Sequence, residues 1–342
     1  MLNSKVFPLL LLAICLGCGA TSSSTAPSSS TPPTLKLFAN AQLPLVTPTY
    51  DGSGQAMHPD IVQFANVWHG YKYWMSVTPY PGNNATVENP SILASNDGQH
   101  WEVPPGLVNP IAPLPSGVIH QMDSDMIYDT ASDQLWAYYL TPGVNDGKIN
   151  VSLRNSSDGV NWAAAKTVVS SAYNSILSPA VQHTPNGYFM WSVNAAPLGC
   201  SAPQTTVELR TSSDGLTWSQ PVPVNLSQPG YQPWHIDVVY VPPRSEYWAI
   251  YAAYPTSVAS CGTTSLYFAR SSDGSKWTTY ARPVLSPSQA WDAGQIYRST
   301  LIYDSSTDTI HLWYSARDAS THTWHTGYTE STYANLIAAL TQ

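Results

Sequence analysis

Three short-spaced pairs carry the groups most able to do chemistry: His58 with Asp60, Asp123 with Asp125, and His235 with Asp237. Ser178 with Ala180 and Arg298 with Thr300 stand at corresponding places further along. Residues two apart in an extended strand share a face, so each pair presents both members to one side. Brought together, the five pairs would line one channel with His, Asp, Ser, His and Arg. Two carboxylates flanking a glycosidic oxygen can hydrolyse that bond, one protonating the leaving group and the other attacking or activating water. Glu88 and Asp123 are the candidate catalytic pair, Glu88 as acid and Asp123 as base or nucleophile. His58, Asp125, Ser178, His235, Asp237 and Arg298 would then bind sugar hydroxyls or a carboxylate on the sugar. Imidazole also moves protons near neutrality, which gives His58 or His235 an alternative role. His58, Asp123 and His235 have the chemistry to hold a divalent ion. No short ligand spacing asks for one, and the expectation is no cofactor.

A repeat supplies the elements that must position these groups. Ser-Asn/Ser-Asp-Gly followed by Trp occurs at Ser95–Trp101, Ser156–Trp162, Ser212–Trp218 and Ser271–Trp277. The Asp residues follow one another at intervals of 61, 56 and 59 positions. Asp-Gly is a tight-turn signal, because Gly accepts positive φ and Asp caps its own turn. Each motif therefore reads as a staple between outer strands. Upstream of each lies an aromatic strand containing Trp74, Trp136, Trp191 or Trp248, with a fifth around Trp313. Further upstream lie the five polar pairs, each heading an apolar stretch such as Ile61-Val62 or Val238-Val239. Five strand meanders match an all-β, five-bladed β-propeller of four-stranded antiparallel blades. The last unit lacks the turn motif and is expected to end in a short helix over 334–340, while residues 36–57 are expected to supply a closing strand. Innermost strands of a propeller line its channel, and the loops leading into them form concave sites. Trp68, Tyr80, Trp234, Trp291 and Trp324 lie in such loops as candidate stacking platforms.

The chain resembles the five-bladed glycosidase superfamily of arabinanase- and xylosidase-type (family 43) and invertase-type enzymes, and more closely a bacterial and phage-associated branch of such propellers. The resemblance is carried by His58-Pro59-Asp60, Glu88-Asn89-Pro90, Asp123-Ser124-Asp125, Leu177-Ser178-Pro179, Trp234-His235-Ile236-Asp237, Tyr297-Arg298-Ser299-Thr300 and Trp324-His325-Thr326-Gly327. Trp234 and His325 join the substrate-binding set on these segments. The resemblance implies action on a poly- or oligosaccharide at the channel mouth, most simply as a glycoside hydrolase. Family-43 enzymes carry Asp where this chain has His58 and Ser178, so their three-carboxylate arrangement does not transfer. A noncatalytic glycan-binding surface lipoprotein and a polysaccharide lyase are the alternatives.

Composition narrows the partners. Only 10% of residues are charged, against about 25% in an average soluble protein, and the formal net charge is -8. No cluster of Lys and Arg could neutralise a run of phosphates, so nucleic acid is excluded as an expected partner. A strongly anionic polysaccharide is disfavoured unless a local Arg pocket receives it. The chain carries 13 Trp and 21 Tyr, whose faces and polar handles suit sugar stacking as well as β-sheet cores.

Lys5 and the apolar stretch from Val6 to Leu16 read as a signal peptide over 1–18, with Cys18 placed as a lipidated cysteine. Cleavage by an ordinary signal peptidase is the alternative. Residues 19–35, rich in Ser, Thr and Pro, read as a disordered tether to a propeller over 36–342. The expectation is an exported, monomeric lipoprotein at the cell envelope, or otherwise a secreted one, touching membrane only through its lipid. Export permits a disulfide. Cys200 and Cys261 fall 14 and 12 residues before the turn Asp of adjacent repeats, which places them side by side and favours a bond between them.

Overall fold

Each repeat folds into one antiparallel sheet, and the five sheets stand around a common axis in a computed structural model that describes residues 37–342. The signal-peptide, Cys18 and tether readings lie outside the described residues. Blades 2, 3 and 4 have four strands each and blades 1 and 5 have three. The innermost strands are Ala56–Trp68, Met122–Asp129, Leu177–Thr184, Tyr231–Val241 and Gln295–Asp304. Each packs against the next, and the fifth packs against the first, which closes the ring. A helix, Tyr333–Leu340, ends the chain. Residues 37–55 form no strand; they run irregularly along blade 5, where the Leu45 amide donates to the Thr326 carbonyl at 2.8 Å. The closing-strand expectation thus gives way to a clasp.

The core is five apolar clusters, each filling the wedge between two neighbouring blades. The aromatic strands supply the wedges, and Trp74, Trp191, Trp248 and Trp313 are almost fully buried there. Burying such a side chain contributes roughly 3 kcal/mol.

The turn motif works between blades as well as within them. In each copy the Ser hydroxyl receives the Gly amide at 2.9 Å. The Asp carboxylate caps two following amides, as Asp158 does for Val160 and Asn161 at 2.8 and 2.7 Å. The turn Gly, at φ between 68° and 75°, then faces an aromatic ring of the preceding blade. Trp191 donates from Nε1 to the Gly274 carbonyl at 2.7 Å, and Trp313 does the same to Gly98. Blade 5 has no such turn, and Tyr333 at the head of the C-terminal helix instead stacks on Trp248, with ring centroids 4.5 Å apart.

The capping bonds make the turns acid-sensitive. The amides of Lys276 and Ser275 hold the Asp273 carboxyl down to about 2, and those of Thr217 and Leu216 do the same for Asp214. A carboxyl depressed in the folded state stabilises above its unfolded pKa of about 4 and loses that contribution as pH falls through its folded value. Asp273→Asn is therefore expected to melt below the wild type at pH 7, with the difference closing towards pH 2; parallel thermal melts read it.

Candidate functional site

Every innermost strand contains one extra residue relative to its neighbour near its upper end, a β-bulge repeated five times. In blades 1 to 3 the bulged residue is His58, Asp123 or Ser178, each at positive φ between 49° and 58°. Such backbone is costly for residues other than Gly and concentrates at functional sites. Below the bulge, Asp60, Asp125 and Asp237 form a deeper layer. The paired residues therefore occupy two storeys along the axis.

The upper storey is the floor of a cavity of about 380 Å³ at the mouth of the channel. His58, Glu88, Asp123 and His235 reach it, each no more than 5% exposed. His58 stands between the two acids: Nδ1 lies 3.4 Å from Glu88 and Nε2 lies 3.3 Å from Asp123. Thr78 Oγ1 sits 3.0 Å from His58 Nδ1; a proton on Nδ1 given to that hydroxyl would leave Nε2 a lone pair. His235 Nδ1 lies 3.9 Å from the same Asp123 oxygen. His58 Nε2 and His235 Nδ1 are both buried without a hydrogen-bond partner. Ligand atoms of His58, Asp123 and His235 all fall within 4.8 Å of one another. Buried unpartnered nitrogens are rare, and two aimed at one carboxylate ask for a ligand.

The electrostatics agree. Burial pushes His58 down to about 3 and His235 down to about 4, so both rings are neutral at physiological pH. Burial works to raise Asp123, but the two imidazoles, Arg298 and the Ser178 amide at 2.7 Å hold it below the usual range. Neutral imidazoles exert no such pull, so at physiological pH Arg298 and the Ser178 amide are what oppose burial at Asp123. Glu88 is pushed well above the usual carboxylate range, by burial first and then by the Asp123 charge.

Tyr297, from blade 5, completes the floor. Its ring lies 4.2 Å from that of His235 and 5.7 Å from that of His58. Its oxygen accepts from Trp234 Nε1 at 2.9 Å, which leaves its own proton free for the cavity. Burial raises its pKa well above 10 and keeps it a donor. Strict alternation puts Arg298, and not Tyr297, on the site face, because it ignores the bulge between Ile296 and Ser299. Tyr80, Trp234 and Trp324 line the walls.

Other candidates lie elsewhere. Asp125, Asp237 and Arg298 belong to the lower storey, where Arg298 donates to Asp125 at 2.8 Å and to the Pro179 carbonyl at 3.0 Å. Burial raises the carboxyl of Asp60, while burial first and then the Asp60 charge raise Asp125 and bring Asp237 up to about 7. Arg298 sits among these acids in the place a cation would take. They also lace the blades: Asp60 receives the Met126 amide, and Asp125 the Val181 amide at 2.9 Å. The Ser178 hydroxyl is spent on the Ile236 backbone. His325 points to Thr323 and Trp291, away from the cavity. Trp68 and Trp291 are packed in blade wedges.

Cys200 and Cys261 form a disulfide that ties blade 3 to blade 4, with Cys261 on the cavity wall. Closing a loop of 61 residues contributes about 4 kcal/mol on the chain-entropy account. The Cys200→Ser/Cys261→Ser variant is expected to show a lowered urea midpoint by equilibrium unfolding.

No family model matches the chain. It is 31% identical over 355 residues to an A type blood N-acetyl-alpha-D-galactosamine deacetylase of Flavonifractor plautii. The match takes in 84% of this chain and 46% of that relative, so the chain spans about half the relative's length. A crystal structure of an N-acetylgalactosamine deacetylase from F. plautii, in complex with blood group B trisaccharide, superposes with a TM-score of 0.79 at 30% identity. That match covers 90% of this chain and 98% of the other. A thermostable family-43 glycoside hydrolase (TM-score 0.61, 13% identity, 81% and 89% covered) and a Penicillium chrysogenum alpha-L-arabinanase (0.58, 12%, 86% and 98%) share the fold.

Proposed function

Since the chain belongs to the five-bladed β-propeller family that contains the F. plautii N-acetylgalactosamine deacetylase, we propose that it is a carbohydrate-active hydrolase that removes the acyl group from an N-acylated amino sugar. The observation that carries this reading is the convergence of two unpartnered, neutral imidazole nitrogens on the Asp123 carboxylate at the cavity floor. Two His and one Asp suit a divalent ion such as zinc, with a position left open for substrate. A bound ion would acidify a water and polarise the acyl carbonyl.

The chain's own groups would do the rest. Thr78 would fix the His58 tautomer and the Ser178 amide fixes Asp123, so the ligand set would be preorganised. Glu88, kept protonated by its raised pKa, would give its proton to the departing amine and recover one from the attacking water. Water oxygen bonds to the acyl carbon, the carbon–nitrogen bond breaks, and a carboxylic acid and a free amino sugar result. Tyr297 donates to the carbonyl oxygen as negative charge gathers there, held in aim by Trp234. Tyr80, Trp234 and Trp324 offer ring faces to the sugar.

Glycoside hydrolysis by Glu88 and Asp123 is disfavoured by geometry. The scissile oxygen must lie between the two carboxyl groups, and the His58 ring occupies that interval. An exported, lipid-anchored monomer would meet such glycans outside the cell. The test is acetate release from N-acetylated amino-sugar oligosaccharides, before and after chelation and with zinc restored. Release that stops on chelation and returns with zinc supports the reading. Binding without release would make the protein a glycan-capture module.

A further inference from the structure

Arg317 ends the blade-5 strand Thr309–Arg317 and lines the same cavity. It is the only Lys or Arg on the cavity wall. Its guanidinium lies over the Trp324 ring at 5.8 Å. Trp324 in turn is pinned by Nε1 to Asn83 at 2.8 Å and stands 5.2 Å from the Tyr297 ring. The arginine is thus held one aromatic ring away from the proposed reaction centre.

Its charge is unanswered. Arg210, Arg244, Arg270 and Arg298 each meet a carboxylate; among the described residues Arg154, Arg282 and Arg317 meet none, and of these three Arg317 alone reaches this cavity. Its Nε is buried and has no hydrogen-bond partner. A chain of net charge -8 has acids to spare, yet none is placed against this cavity arginine, whose charge therefore faces the cavity. Stacking on Trp324 covers a face of the guanidinium and leaves its edge. That edge, the two Nη groups, matches a carboxylate in a two-bond fork.

We propose that Arg317 recognises the carboxylate of an acidic sugar next to the N-acyl amino sugar, so that the substrate is a glycan alternating or capped with a uronic-type residue. The proposal rests on the deacylase reading for its position in the substrate and adds the charge of the neighbouring residue.

The experiment uses the full chain with zinc and three oligosaccharides sharing one N-acetyl amino sugar: one with an adjacent uronic acid, its carboxyl-reduced neutral counterpart, and one with a sulfate ester in place of the carboxylate. Binding is measured by calorimetry and acetate release by kinetics. The expected result is a KM and Kd for the uronic substrate roughly tenfold or more below the neutral one, shrinking with added salt. Arg317→Gln should bring that ratio close to one, and Arg317→Lys, which keeps charge without the fork, should keep only part of it. Equal affinity for acidic and neutral substrates, or a preference that survives Arg317→Gln, overturns the proposal. So does a sulfate ester preferred over the carboxylate. Acetate release without a charge preference would leave the deacylase reading standing and this one fallen. A carboxylate preference in binding that Arg317→Gln removes, with no acetate released from any substrate, would uphold this one and end the other.

Discussion

Asp123→Asn is expected to lower kcat/KM on the order of a thousandfold, because loss of an ion's Lewis acidity removes several kcal/mol of transition-state stabilisation. Asp123 is the one carboxylate in the ligand cluster and the group towards which both orphaned imidazoles point. The amide isostere removes the charge that would hold a divalent ion among two neutral rings. It keeps an oxygen for the Ser178 amide, so the bulged backbone retains its link to blade 3. Activity and bound metal should therefore fall together while the melting temperature holds. Kinetics, elemental analysis and a thermal melt on one preparation check all three. Activity within tenfold of wild type would remove Asp123 from the centre of the mechanism.

Gly159→Ala should be the most damaging single methyl in the described residues. A Cβ at Gly159 would stand 2.2 Å from two ring carbons of Trp74, an indole with no exposed surface in the wedge between blades 1 and 2. The backbone there is at φ +74°, where an L residue is also strained. The ring cannot retreat, since Phe64, Trp68 and Met126 belong to the same packed cluster. Overpacking and backbone strain together should cost about 3 kcal/mol or more. Gly52→Ala, at the same sign of φ but with nothing within 4 Å, serves as control and should lose far less. Urea denaturation of both variants reads the difference.

These two residues show what the sequence could and could not carry. The turn motif announced Gly159, since Asp-Gly with a following Trp demands a tight turn whatever surrounds it. Its neighbour across the blade boundary was not legible, because Trp74 lies far away in sequence and meets the turn only after the ring closes. The innermost strands were legible from Asp60, Asp125 and Asp237 at the head of apolar runs. Their bulge was not. Alternation alone assigns His58 and Asp60 to one face, whereas the extra residue lifts His58 and Asp123 into the cavity and leaves Asp60 and Asp125 below; in blade 4 the bulge precedes His235, which stays in regular register above Asp237. In blade 5 the bulge turns Arg298 into the interior and brings Tyr297 to the site in its place. Pro59 and Pro179, which cannot donate to a ladder, were the available signal in blades 1 and 3. Thr78 stayed hidden because its role depends on pairing with the strand that carries His58. The closing strand expected over 36–57 is a clasp over 37–55 instead, because Leu45 makes one ladder-like bond to blade 5 without neighbours to continue it.

In the proposed reaction water is added to an acyl carbon and not to a sugar carbon. Turnover of an N-acetylated amino-sugar oligosaccharide in heavy-oxygen water, followed by mass spectrometry, tests it directly. The expected result is label in released acetate, one free amine per turnover and a glycan of unchanged chain length. Label in a new reducing end, with the acetyl group still in place, would contradict it.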